Sequence, residues 1–231
     1  MNPIDKNLYK TMQQCGLIAI LRGVRPHEVA AIGHALYDAG FRIIEVPLNS
    51  PEPLASIRAL RDALPADCLI GAGTVLSAEA CADVQAAGGQ IIVMPHSDPT
   101  VIRAARAAGM ACAPGVATLT EAYAALAAGA NMLKLFPAEA LPPHVLKAWR
   151  AVITPPMALV PVGGIAPENI ATYAAAGASG FGLGSALYRP GDSATDVAGK
   201  AAAFVAAWHT SYGAARAAAA ATAPGQATAS A

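Results

Sequence analysis

AGANMLKLFP, residues 128–137, joins two kinds of local structure within ten positions. Ala-Gly is the signature of a helix ending on a left-handed glycine cap, and MLKLFP behind it is an apolar run of strand length. The closing proline cannot go on donating to a ladder. The same phrase returns as AGFRIIEVPL (39–48), AGGQIIVMP (87–95), AGMACAPG (108–115) and AGASGFGLG (176–184). Its glycines stand at 40, 88, 109, 129 and 177, and each of the two 48-residue gaps has room for two units.

Taken in order, the strand-like runs are LIAILRG from Leu17, RIIEVPL from Arg42, LIGAGTV from Leu69, IIVMP from Ile91, ACAPG from Ala111, MLKLFP from Met132, LVPVGG from Leu159 and GFGLGS from Gly180. Between them lie segments of helical spacing, such as Val29, Ile32 and Leu36 after Pro26, or Val145, Trp149 and Val152 after Pro142 and Pro143. Eight such units predict a single-domain α/β fold, the closed parallel (β/α)8 or TIM barrel, because right-handed crossovers keep the helices outside. An open doubly wound sheet is the rival architecture. The barrel is expected over residues 17–212, after a leader or helix over 1–16. From Gly213 to Ala231 the chain reads GAARAAAAATAPGQATASA, without large apolar residues, and disorder is expected there. Pro47, Pro95, Pro114 and Pro137 each follow an apolar run, where they are expected to end pairing.

The bulk composition narrows the partners. The formal charge is zero and the pI about 6.9, so there is no basic field to hold nucleic acid or an anionic membrane. No stretch has the density of a membrane span, and MNPIDKNLYKTMQQ lacks the layout of a signal peptide, which makes the cytosol the expected compartment. Cys15, Cys68, Cys81 and Cys112 form no CxxC pair, and the five histidines show neither HxH nor HExxH spacing. Buried free thiols are expected, with no metal site.

Barrel chemistry is done at the C-terminal ends of strands, and few charges sit there. Lys134 is the one lysine of five in a strand, and Glu45 the one carboxylate of fifteen. Alternation puts Lys134 on the axial face with Met132 and Phe136, and Glu45 on the axial face with Ile43 and Pro47. The second and sixth strands are diametrically placed, so acid and amine converge on one cavity. Arg22 closes the first strand; Arg42 opens the second and belongs to the opposite end. A buried ion pair that merely fixes the barrel is the plain alternative. A nucleophile explains the burial better: lowering a lysine from about 10.4 to about 7.5 costs roughly 4 kcal/mol and yields a neutral amine able to attack a ketone.

VGGIAPEN from Val162 and GLGSALYRPG from Gly182 follow the last two strands, where barrels present free backbone N–H groups to phosphate. Gly163, Gly164, Gly184 and Ser185 are the candidates. A dinucleotide fingerprint is excluded for GFGLG, since no acidic residue follows about twenty positions on and the motif closes the repeats. In GAGT, Gly71 and Gly73 leave space at the mouth and Thr74 offers a hydroxyl, while Pro47 and Pro95 are placed to line the cavity.

With Glu45, GAGT and LKLFPAE together, the chain resembles the KDPG/KHG aldolases, a family of class I aldolases, from about Leu17 to Trp208. The resemblance implies that Lys134 forms the Schiff base, that Glu45 donates and accepts protons, and that Thr74 meets the pyruvyl end of the substrate. Gly163, Gly164, Gly184 and Ser185 would hold its phosphate, Gly73, Pro95 and Phe136 would line the substrate site, and Arg22 would meet the acidic end. ILRG ending at Gly23, EVPLNSP from Glu45 and Val162 are most similar to the branch acting on 2-dehydro-3-deoxy-6-phosphogalactonate. Gluconate-specific relatives typically carry arginine at the position of Asn49 and threonine at that of Val162. The implied partner is a phosphorylated 2-keto-3-deoxy sugar acid, the implied assembly a homotrimer, and no cofactor is needed because the protonated imine is the electron sink. The same chemistry on the gluconate epimer or on 4-hydroxy-2-oxoglutarate, a non-covalent isomerase with Lys134 as clamp, and a barrel that only binds sugar phosphates stay open. His96 and the alanine-rich tail depart from the family pattern and are assigned no role.

Overall fold

The computed structural model of the protein describes residues 1–222, with side chains through Gly213. The expected strands are present as β1 Leu17–Ile20, β2 Ile43–Pro47, β3 Leu69–Gly73, β4 Ile91–Val93, β5 Ala111–Ala113, β6 Gly115–Val116, β7 Met132–Leu135, β8 Ala158–Pro161 and β9 Phe181–Leu183. Pro114 accounts for the extra one. Having no N–H, it interrupts the ladder, and the chain beyond it pairs with β7, Gly115 opposite Lys134. The expectation that Pro114 ends pairing is therefore corrected: its carbonyl accepts from the Lys134 amide at 2.9 Å, and pairing resumes in another sheet.

All pairings are parallel, in a six-stranded sheet ordered β5-β4-β3-β2-β1-β9 and a three-stranded sheet ordered β6-β7-β8. The last strand returns beside the first, with no reversal of order at a switch point, which distinguishes the curled sheet from a doubly wound one. The sheets meet at Pro114 and at a bridge between Val162 and Gly182. Hydrogen bonding is thus divided between two sheets where a single eight-stranded ring was expected.

The helices are α1 Pro3–Gln14, α2 Pro26–Ala39, α3 Pro53–Ala63, α4 Ala78–Ala86, α5 Pro99–Ala107, α6 Leu119–Ala127, α7 Pro143–Trp149, α8 Pro167–Ala175 and α9 Ala194–Thr222. The recurring glycines at 40, 88, 109, 129 and 177 all have φ between 78° and 116°, the left-handed turn that sends each chain from helix into strand. α7 ends at Trp149, short of the expected helical Val152, which is half exposed beyond it. Nor does structure stop at Gly213: α9 continues to Thr222, because alanine needs no packing partner to favour the helix, and residues 223–231 lie outside the described part. Among the described residues no helix is long and apolar enough to cross a membrane.

Strand alternation produces two apolar clusters. Leu133, Leu135, Ile44 and Val46 face the helices in the outer one. Ile18, Ile43, Leu69, Ile91, Met132 and Val160 fill the interior of the curl. Leu8 of α1 joins that interior cluster from below and is 4% exposed. α1 is held across the lower end by Asp5, which accepts from Arg106 at 2.8 and 2.7 Å and from Asn131 at 2.8 Å. With the lower end covered, the open end lies at the C-terminal ends of the strands.

Candidate active site

Lys134 is buried in β7 with 7% exposure, and Glu45 is buried in β2 with 2%. Met132 and Ile43 beneath them belong to the interior cluster, so both charged groups emerge above it, as the alternation predicted. They open, with Arg22, Thr74, Pro95, Phe136, Val162, Gly163, Gly164, Gly184 and Ser185, into one cavity of about 570 Å³. That volume suits a small metabolite.

Of the residues expected to line the cavity, Pro95 does so, whereas Gly73 and Pro47 do not; Gly73 lies behind Glu45. An added Cβ on Gly73 would sit 1.8 Å from Glu45 Oε2, so the glycine supplies the room the carboxylate occupies. Gly71 has a different duty, since a Cβ there would meet the Ile91 carbonyl at 1.9 Å. Pro47 ends β2, paired with Gly73. Arg42, at the other end of β2, bonds the Tyr37 and Phe41 carbonyls and pairs with Asp67, in keeping with a stabilising role.

The two central groups are not in contact. Among the described residues the ion pairs are Arg42–Asp67, Arg106–Asp5 and Lys200–Asp192, and Glu45 Oε2 has no hydrogen-bond partner. A pair whose task was to fix the fold would be closed and fully bonded, because an unpaired buried oxygen costs about 1–3 kcal/mol. Burial pushes the Glu45 carboxyl up to about 7, against the pull of the Lys134 and Arg22 charges. Burial likewise drives the Lys134 ammonium down from its ordinary value; Glu45 opposes this and Arg22 reinforces it. Both groups can therefore exchange protons nearer neutrality than either could in water. Phe136 places its ring 4.5 Å from Lys134 Nζ and gives the cation its one aromatic face.

On the side of β1 and β3, Arg22 donates to Asn49 Oδ1 and to Thr74 Oγ1, the latter at 3.4 Å. Thr74 follows β3 with φ 54°, a left-handed conformation a β-branched residue rarely takes. Opposite, Gly163 and Gly164 turn with φ 109° and 62° into the N-terminus of α8. The Gly164 and Ser185 amides donate to no other group among the described residues. Free N–H groups at a helix start form a cradle for an anion.

Sequence reasoning passed over two charged groups here, Glu139 and Arg189, and met Asn49 only as a difference from gluconate-specific relatives. Glu139 lies across the glycine pair, its Oε2 2.3 Å from where a Gly163 Cβ would be. Arg189 reaches back to donate to the Ser185 carbonyl at 3.0 Å. Asn49 holds Arg22. The first two stand within quoted motifs, LKLFPAE and GLGSALYRPG, but in turns whose side-chain directions follow no periodicity. The four cysteines are buried thiols away from the cavity, and no cluster of metal-ligating side chains occurs among the described residues.

The family model described as KDPG and KHG aldolase matches residues 8–198, which takes in every strand and the whole cavity. The chain belongs to the KDPG and KHG aldolase family. Among members of that family, it is 49% identical over 197 residues to a probable 2-dehydro-3-deoxy-6-phosphogalactonate aldolase of Rhizobium meliloti (strain 1021), covering 85% of this chain and 93% of that protein. It is 50% identical over 192 residues to the 2-dehydro-3-deoxy-6-phosphogalactonate aldolase of Escherichia coli (strain K12), covering 83% and 94%. A solved structure described as native KDPGal superimposes with a TM-score of 0.84 at 48% identity, covering 85% of this chain and 96% of that one. The KDPG and KHG aldolase likeness thus extends over the site as well as the scaffold.

Proposed function

We propose that this family member is a class I aldolase that cleaves 2-dehydro-3-deoxy-6-phospho-D-galactonate to pyruvate and D-glyceraldehyde 3-phosphate. In this reading the two sheets act as one closed (β/α)8 barrel, and the protein works as a homotrimer in the cytosol. The observation that carries the proposal is a buried amine and a buried carboxyl, not ion-paired with one another, that line one cavity at the C-terminal ends of the strands.

Lys134 Nζ attacks the C2 carbonyl, and loss of water leaves a protonated imine. Glu45 takes the proton of the C4 hydroxyl while the C3–C4 bonding electrons move into the imine. The aldehyde departs, the enamine is protonated at C3, and water hydrolyses the imine to release pyruvate and the free amine. A carboxyl poised at about 7 can give and take a proton within one cycle. Arg22 and Thr74 meet the substrate carboxylate, while the Gly163, Gly164, Gly184 and Ser185 loops meet its phosphate. Val162, 7% exposed, presents an apolar edge toward the middle of the chain, where the C4 epimers differ. The two relatives near 50% identity, both described by the galactonate substrate, support the choice of epimer.

The test is borohydride reduction in the presence of pyruvate. A reduced adduct on Lys134 is expected; its absence from fully folded protein would overturn the Schiff-base reading. Rates on the purified galactonate and gluconate epimers then decide the substrate, and faster turnover of gluconate would overturn that part alone.

A further inference from the structure

Asn49 accepts from the cavity-lining Arg22, and its surroundings give it a definite task. Arg22 is an exposed guanidinium at the end of β1, a side chain with many rotamers. Two acceptors from different loops restrain it: Asn49 Oδ1 on the β2–α3 connection and Thr74 Oγ1 just beyond β3. The Asn49 backbone is itself pinned. The Leu48 amide donates to the Gly73 carbonyl at 2.8 Å, and the Ser50 amide to Pro47 at 2.9 Å. Buried Ser50 also accepts from the Gly23 amide at 2.9 Å, which stitches the residue after Arg22 to the residue after Asn49. On the other acceptor, Thr74 holds its left-handed backbone while directing its hydroxyl to the same guanidinium.

We infer that Asn49 is a positioning residue: its side-chain carbonyl holds the Arg22 guanidinium, already ordered, at the place where a keto-acid carboxylate binds beside Lys134. Asparagine does this without a charge. A carboxylate in its place would hold Arg22 equally well but would compete with the substrate for it. Ordering the arginine in advance removes a cost otherwise met at each binding event. This rests on the reading that Arg22 meets the substrate carboxylate.

Pyruvate is the probe, through enzyme-catalysed exchange of its methyl protons with deuterated water. Asn49→Ala is expected to raise the pyruvate KM about tenfold, the worth of one immobilised side chain, with kcat for exchange within about twofold of wild type. Arg22→Ala raises KM at least as much, and the double variant adds nothing to Arg22→Ala because Asn49 acts only through the arginine. Asn49→Asp is expected to raise KM without lowering the thermal midpoint. An unchanged KM in Asn49→Ala, or additive penalties in the double variant, would overturn the inference. Wild-type protein that forms no borohydride-stable pyruvate adduct would instead remove the reading beneath it, so the two failures are distinguishable.

Discussion

The Gly73 Cα and the Glu45 carboxylate lie so close that a methyl group on the glycine would fall 1.8 Å from Oε2. Gly73→Ala must therefore displace the acid or spread β2 from β3. We expect a loss of about 1–3 kcal/mol in urea denaturation, the usual cost of overpacking, together with at least a hundredfold fall in kcat. Wild-type kcat in a folded Gly73→Ala protein would show that the placement of Glu45 is not critical.

Glu45 sets a pH dependence of stability. Its folded pKa, about 7, is raised above the ordinary 4.5, so the native state binds the proton more tightly than the unfolded chain. Stability from this group is full below about 4.5 and is lost as pH rises toward 7, about 3 kcal/mol across the window. Glu45→Gln should flatten that decline, which parallel denaturant titrations at pH 5 and pH 8 would reveal. The same variant should lose about 10²–10⁴ in kcat.

Lys134→Met keeps the length of the side chain and removes the buried charge. Turnover and borohydride trapping should vanish, while stability should rise by about 1–3 kcal/mol, since the desolvation penalty disappears. Calorimetry on the inactive variant checks the second half. A lower melting temperature would mean that the ammonium contributes to the fold after all.

Thr74, at φ 54°, is held in a conformation that glycine adopts without strain. Thr74→Gly should leave the protein about 1 kcal/mol more stable, or unchanged once the greater freedom of its unfolded chain is counted. KM for a keto acid should nevertheless rise, because Arg22 loses one of its two acceptors.

Asp5 anchors α1. Partial burial alone would raise its carboxyl, but the bonds and charge of Arg106, with Asn131, outweigh it and hold the group below its usual range. Its contribution is therefore present above the ordinary value of 3.8 and lost as pH falls through the lower folded value. Asp5→Asn should cost about 1–3 kcal/mol at neutral pH and little in strong acid, measurable by denaturant melts at pH 7 and pH 2.5.

The strands and the two charged groups were legible in the sequence because both rest on local rules. A left-handed glycine followed by an apolar run marks helix into strand, and alternation places Lys134 and Glu45 inward whatever the rest of the chain does. Arg22, Asn49 and Thr74 meet across 27 and 52 residues, through loops whose conformations no periodicity records. The sequence reading linked Arg22 and Thr74 to the substrate only by family likeness and could not see that they touch. The division of the ladder at Pro114 was hidden for a related reason. A missing N–H is visible in the sequence, but where pairing resumes depends on which strand curls alongside. α9 runs past Gly213, where the lack of large apolar residues leads the sequence to suggest disorder, because a run of alanines favours helix by backbone preference alone.

Leu8 of the helix across the lower end shares the interior apolar cluster with Met132 and Ile43, which gives the reaction chamber an apolar floor. In the proposed reaction, whatever is tethered to Lys134 sits above that floor, and the departing aldehyde phosphate lies toward the C-terminal ends of the strands. On that reading release is sequential: the phosphorylated fragment leaves first, and pyruvate follows once water has hydrolysed its imine.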